Sequence, residues 1–264
     1  MGGLARGLFG AATAALLAAL LLPPVQADTV TGDNVRIDFR GSILPKALPR
    51  SGPAPVSLHV TGKVHPLGSQ SPAALKRLTI QINRHAIFTT RGLPRCPPRR
   101  LRGTSTKGAI ASCGDALIGS GYFTSHIEIP DQAPFPAWGR ALAFNTRKGG
   151  RQAVVIHVFG RNPAPTSTVL SAALIGSGPA SGPFGRRLTI EVPKIGDNWG
   201  YVSGFGLTFH RRYRYRGQEK SVVRASCPAP PGLRVVPFTA ARGVFELGDG
   251  QILSRTLSGS CRVR

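Results

Sequence analysis

The chain has 264 residues, with 34 Lys+Arg against 11 Asp+Glu and a formal net charge of +23. A hydrophobic fraction of 41% excludes wholesale disorder, and four cysteines in a chain this long exclude a disulfide-dense miniprotein. Outside the first 27 residues no apolar run approaches a membrane-spanning helix, and eleven carboxylates leave little material for acid–base chemistry or hard-metal sites.

Residues 1–27 read as an export signal. Arg6 supplies the positive charge, Leu8–Leu22 is an apolar stretch ended by Pro23-Pro24, and Val25-Gln26-Ala27 suits cleavage. As a helix, that stretch would span about 22 Å, short of a hydrocarbon core of about 30 Å, which favours a cleaved signal over a retained anchor. Removal of Arg6 with the signal leaves +22 on the 237 residues of 28–264, read as one secreted or cell-wall-associated domain of bacterial origin.

Apolar side chains then alternate with polar ones in short stretches. Val35, Ile37 and Phe39 come first, followed by Val56, Leu58 and Val60, then Leu78, Ile80 and Ile82. The same spacing returns at Phe123, Ile127 and Ile129 and at Leu188, Ile190 and Val192. Each predicts a half-buried strand. Ala153–Phe159 is more continuously apolar and reads as a central strand. The prolines of Leu44–Pro55 make an extended arm there, and 28–55 together form a candidate N-terminal arm. Helix is predicted from Ser105 to Cys113, with Ser or Thr as N-cap, and one further turn over Pro72–Lys76. Asn145–Gly150 and Gly248-Asp249-Gly250 read as hairpin connections, and Gly176–Gly185 as a Gly/Ser/Pro loop. The fold class that follows is all-β: an antiparallel sandwich or barrel-like domain with one or two short helices.

Cys96, Cys113, Cys227 and Cys261 are an even set suited to an oxidising compartment. Of the three possible pairings the nearest neighbours, Cys96–Cys113 and Cys227–Cys261, are favoured, each stabilising by about 3–4 kcal/mol. Zinc is disfavoured, because no C-x-x-C pair exists and no histidine lies near any of the four.

Several short motifs resemble a group of uncharacterised secreted proteins of actinobacteria. They are Leu48-Pro49-Arg50, Arg91-Gly92-Leu93-Pro94-Arg95-Cys96, Asn198-Trp199-Gly200-Tyr201-Val202, Arg212-Tyr213-Arg214-Tyr215-Arg216-Gly217 and Ser226-Cys227-Pro228-Ala229-Pro230. The resemblance implies a secreted β-rich domain and no particular activity. Thr146 stands after Phe144-Asn145 where the resemblance leads one to expect glycine, which marks that loop as a departure.

Two basic clusters carry the candidate chemistry. Arg91, Arg95, Arg99, Arg100, Arg102 and Lys107 form the first. Arg211, Arg212, Arg214, Arg216, Lys220 and Arg224 form the second, opposed only by Glu219. Strand alternation would put Arg212, Arg214 and Arg216 on one face and Arg211, Tyr213 and Tyr215 on the other. With Arg99, Arg100 and Arg102, that stripe is the candidate anion site, because guanidinium groups grip phosphates and carboxylates bidentately. The plainer reading is a solvated arginine face over core aromatics. Anionic envelope polymers (wall phosphates, acidic polysaccharide or lipid headgroups) are the expected partners, with no specific nucleic acid, cofactor or metal.

The competing reading is a secreted hydrolase, in which His59, His126, His157 or His210 meets a serine and Asp197 or Asp249. Gly200-Tyr201-Val202-Ser203-Gly204 has the wrong spacing for a nucleophile elbow. His59 and His65 are placed about a turn without an accompanying carboxylate. Trp138 and Trp199 are expected to serve the core or anchor loops, with a carbohydrate or peptide cleft as the alternative.

Overall fold

Alternation is realised as strand pairing along nearly all of the chain that the computed structural model describes, residues 28–176, 182–195 and 199–264. The export signal and Asp197 lie outside the described residues, as do parts of the Gly176–Gly185 loop. The first strands are β1 (Asp28–Thr31), β2 (Val35–Leu44), β3 (Ala47–Leu48), β4 (Ala54–Pro55), β5 (Ser57–Pro66), β6 (Leu75–Asn83) and β7 (Ala86–Phe88). After the single helix α1 (Thr106–Cys113) come β8 (Leu117–Ile127), β9 (Phe135–Lys148), β10 (Arg151–Gly160), β11 (Thr166–Gly176) and β12 (Phe184–Glu191). The last six are β13 (Gly200–Phe209), β14 (Arg212–Tyr215), β15 (Gln218–Ser221), β16 (Val223–Ala225), β17 (Val235–Leu247) and β18 (Ile252–Val263).

Thirteen of these strands make one sheet in the order β1-β2-β5-β13-β8-β9-β10-β11-β12-β6-β17-β18-β3. Every pairing is antiparallel except β18 with β3. Laid flat, thirteen strands would extend about 58 Å. Yet β2, second in the order, is joined to β3, the last, only through Pro45 and Lys46. Three peptide links reach about 11 Å at most, so the sheet must curl until its ends meet. The closure is visible in side chains. Phe39 of β2 sits edge-on to Phe245 of β17 with ring centroids 5.4 Å apart, and the Asp33 amide donates to Gln251 Oε1 at 3.2 Å.

Curling gives the sheet an inside, filled by the alternating apolar residues read from the sequence. Val35, Ile37 and Phe39 are fully buried there, with Leu58, Val60, Leu78, Ile80, Leu188 and Ile190. Residues 28–44, grouped with the N-terminal arm, are therefore two sheet strands, and only 45–55 is extended chain with brief pairings through β3 and β4. No helical turn forms over Pro72–Lys76. Leu75 is 5% exposed because it is the first inward residue of β6, which already includes Lys76. The β9–β10 connection is tighter than Asn145–Gly150: Asn145 and Thr146 are buried strand residues, and only Gly149 and Gly150 turn, both at positive φ (57° and 74°). The β17–β18 hairpin turns at Gly248-Asp249-Gly250 as expected, with Gln251 N donating to Asp249 Oδ1.

The continuous apolarity of β10 has its cause in a second layer. Inward, Val154 and Ile156 join the main core, and outward, Val155 joins Leu142 and Phe144 of β9 beneath a covering segment of residues 93–116. That segment contributes Leu101, Ala109 and the disulfide Cys96–Cys113 to a separate apolar cluster. It contains α1, capped by Ser105, whose Oγ accepts from Gly108 N at 3.1 Å. The other disulfide, Cys227–Cys261, ties β18 to the loop after β16. Arg50 of the Leu48-Pro49-Arg50 motif donates into the same loop, to the carbonyls of Ala229, Pro230 and Leu233.

The two disulfides should therefore fail differently when each pair is replaced by alanine. Loss of Cys227–Cys261 is expected to lower global stability by about 3–4 kcal/mol in urea unfolding. Loss of Cys96–Cys113 is expected to release amide protection chiefly within 93–116, read by hydrogen exchange, while the sheet keeps its protection.

Candidate anion-binding surface

The arginine stripe is built where the main sheet stops. Phe209 ends β13, 4% exposed and edge-on to Phe88 at 5.4 Å, and the chain then leaves as the β14–β15 hairpin. The expected alternation holds over Arg211–Tyr215: Arg212 and Arg214 are exposed, whereas Arg211, Tyr213 and Tyr215 are half-buried. Arg216 departs from it, because it begins a two-residue turn with Gly217, both at positive φ (52° and 74°). Its guanidinium lies 5.4 Å from the centroid of the Tyr215 ring, a cation–π arrangement that holds the charge outward.

The inward side chains of this hairpin join the two clusters. Tyr213 Oη donates to the Arg91 carbonyl at 2.8 Å. The Tyr215 ring lies on Gly92, where an added Cβ would stand 2.3 Å from the ring. Burial, with Tyr215 adding to it, pushes the Tyr213 hydroxyl above its ordinary pKa of 10.0, so the donated proton is retained through the neutral range. Arg91 and Tyr213 are 122 positions apart in sequence and are brought together by this contact.

Asn145 fixes the first cluster from below. Its Oδ1 accepts from Thr90 Oγ1 at 2.6 Å, and its Nδ2 donates to the carbonyls of Leu93 at 3.2 Å and Pro94 at 2.7 Å. Its own carbonyl accepts from Cys96 N at 2.8 Å. From this anchored start the segment presents Arg95, Arg99, Arg100, Arg102 and Lys107, all exposed. Arg95 and Arg100 border a cleft of about 230 Å³ with Ile110, Ser112, Cys113 and Asp115.

Two members of the second cluster are structural. Arg224 donates twice to the Pro53 carbonyl, at 3.0 and 2.7 Å. Arg211 is half-buried, with its Nε enclosed. Meanwhile three of the carboxylates are held elsewhere. Arg77 bridges Glu191 and Glu246 at 2.6 and 2.5 Å, and Asp38 is held by His65 at 3.0 Å. Among the described residues, only Arg212 of the six candidate arginines has a carboxylate ion-pair partner, Glu219 at 3.7 Å across an exposed pair, a contact worth little.

Of the histidines named for a hydrolase, His157 alone meets a serine at hydrogen-bonding distance among the described residues. Its Nε2 lies 3.2 Å from Ser167 Oγ but 2.9 Å from the Thr104 carbonyl. A carbonyl only accepts, so Nε2 carries the proton and has no lone pair with which to activate the serine. Nδ1 is buried without a protein partner, where a triad would place a carboxylate. His59 Nδ1 pairs with Thr208 Oγ1 at 2.8 Å, His126 stacks on Tyr201, and Asp249 caps its hairpin. His59 and His65 lie along β5, not about a turn, and His65 does have a carboxylate, Asp38, from the neighbouring strand β2. Among the described residues no three His, Cys, Asp or Glu side chains converge as metal ligands, and no helix is long and apolar enough to cross a membrane. Trp138 and Trp199 are not core residues, being 68% and 49% exposed. Compared with protein-family models, curated proteins and solved structures, the chain gives no match.

Two outcomes follow. Asn145→Ala removes the partner of Thr90 and the donor to two carbonyls, so it should cost about 2–4 kcal/mol in urea unfolding. Asn145→Asp, unable to donate, should be no milder. Burial lowers the His157 pKa below its ordinary 6.5, partly opposed by the Thr104 bond. The unfolded chain then takes up a proton that the folded chain resists, so stability should fall as pH drops through and below about 6.5. His85 shifts the same way through burial and Arg84. Replacing His157 by Gln should therefore flatten, without abolishing, the fall in urea midpoint between pH 7.5 and 5.

Proposed function

We propose that this chain is an exported, noncatalytic binding domain whose basic surface engages anionic polymers of the cell envelope. The observation that carries the proposal is the joining of two arginine clusters by Tyr213 and Tyr215. Arg99, Arg100, Arg102, Arg212, Arg214 and Arg216 are all exposed, while Glu191, Glu246 and Asp38 are held elsewhere. Planar guanidinium groups on a disulfide-pinned segment and a hairpin are partly ordered before binding, which lowers the entropic cost of gripping a polyanion. Both disulfides suit the oxidising side of a membrane. The hydrolase reading loses its best geometric support, because the histidine nearest a serine donates its Nε2 proton to a carbonyl.

Elution from immobilised heparin across a salt series tests the proposal. The triple replacements Arg212→Ser with Arg214→Ser and Arg216→Ser, and Arg99→Ser with Arg100→Ser and Arg102→Ser, should each elute at lower salt. Each should also flatten the dependence of log affinity on log salt by about 2–3, one counterion per lost contact. Equal retention of both variants and the parent would overturn it.

A further inference from the structure

We infer that the outer face of β5, β13, β8 and β9 is a platform for an acidic polysaccharide, running away from the arginine surface. The inference rests on the anion-binding reading and adds the sugar. Strand register places its parts. Arg40, Thr61, Gly206, Tyr122, Arg140 and Phe159 lie in one row across β2, β5, β13, β8, β9 and β10. The next row holds Lys63, Gly204, Thr124 and Trp138.

Tyr122 lies over Gly206, where an added Cβ would come within 2.5 Å of the ring, and the side chain is still 40% exposed. Trp138, its diagonal neighbour at about 7–8 Å, is 68% exposed. These rings are not leftovers of an incomplete core. The covering segment stops one row earlier, where Thr104 meets His157 and Leu142 is 1% exposed beneath it. Beyond that row the sheet is open, and its aromatics are set among cations. Arg40, Lys63 and Arg140 are exposed, and the one carboxylate that alternation places on the outer face of β2, β5, β13, β8 and β9, Asp38, is held by His65 and Thr29.

The chemistry of this face selects its occupant. Exposed ring faces carry negative quadrupole and attract the C–H edges of a pyranose, which polyphosphate lacks. Arginine and lysine between the rings answer carboxylates repeated along a chain. From Arg40 to Phe159 the row spans about 24 Å at one strand every 4.7–4.9 Å, room for several sugar units laid across the strands. The covering segment that carries Arg99–Arg102 adjoins the row of Tyr122 and Arg140, so one acidic chain can engage the arginine surface and this face together.

The experiment uses the whole exported chain with Trp199→Phe, which leaves Trp138 as its sole tryptophan. Polygalacturonate should change Trp138 emission saturably, whereas neutral dextran and inorganic polyphosphate at matched charge or mass should not. Tyr122→Ala should weaken polygalacturonate binding at least 10-fold by this readout, and Trp138→Ala equally by calorimetry. Arg140→Ser with Arg40→Ser should weaken polygalacturonate similarly. Undiminished polygalacturonate binding in the Tyr122 and Trp138 variants overturns the platform, as does an equal emission response to polyphosphate. Failure of the arginine-surface reading would register separately, as heparin elution indifferent to both triple arginine variants.

Discussion

Closure of the sheet is the constraint on which the remaining architecture depends. β2, second in the strand order, and β3, the last, are tethered through two residues, so the thirteen strands must curl, and they do so around their own apolar side chains. The inside is then complete without any helix. Every other element is assigned to the outside or to an end: the hairpin of β14 and β15 at the exit of β13, the three-stranded patch of β4, β16 and β7, and the covering segment over β9 and β10. The candidate anion-site arginines ride on these additions, while the inside of the sheet stays apolar.

The covering segment shows how a stretch with little repetitive backbone bonding is still held in place. It buries Leu101 and Ala109, closes on itself through Cys96–Cys113, and rests on the side-chain amide of Asn145. A buried amide with each of its groups satisfied is highly directional, because any displacement strands donors and acceptors away from water. Direction is what a row of arginines on an otherwise irregular chain requires.

Much of this was legible in the sequence, for reasons that can be named. Val35, Ile37 and Phe39 declared a buried face because period-two alternation has little other use. Ser105 marked the start of α1, and cysteine proximity gave both disulfides. Ala153–Phe159 announced a central strand, although the apolar layer on its outer side was not evident. The failures came where long-range contact overrides local signals. Asn145 looked like turn chemistry and is a strand residue, its amide engaged with carbonyls some fifty positions earlier. Arg216-Gly217 escaped notice as a turn because arginine at positive φ is unusual. The proximity of Arg91 to Tyr213 was unreadable, since nothing in either segment names the other. Trp138 was weighed as a core residue because tryptophan usually is one, and its exposure depends on where the covering segment happens to end.

The way the ends of the sheet meet also governs how separate copies of this domain encounter one another. A sheet of this size left open would present two long ladders of unsatisfied backbone groups, each a template for another chain. Here the terminal members are β1, with four residues, and β3, with two, folded against the opposite end of the same sheet. β1 and β2 lie against β18, so the unpaired lengths of β2 and β18 are turned toward each other rather than toward another chain. Under the proposed function, such a domain meets its own copies at high local density along one polymer chain, after the ligand has cancelled the mutual repulsion that keeps them apart in solution. Short, tucked termini allow such crowding without strand exchange between neighbours.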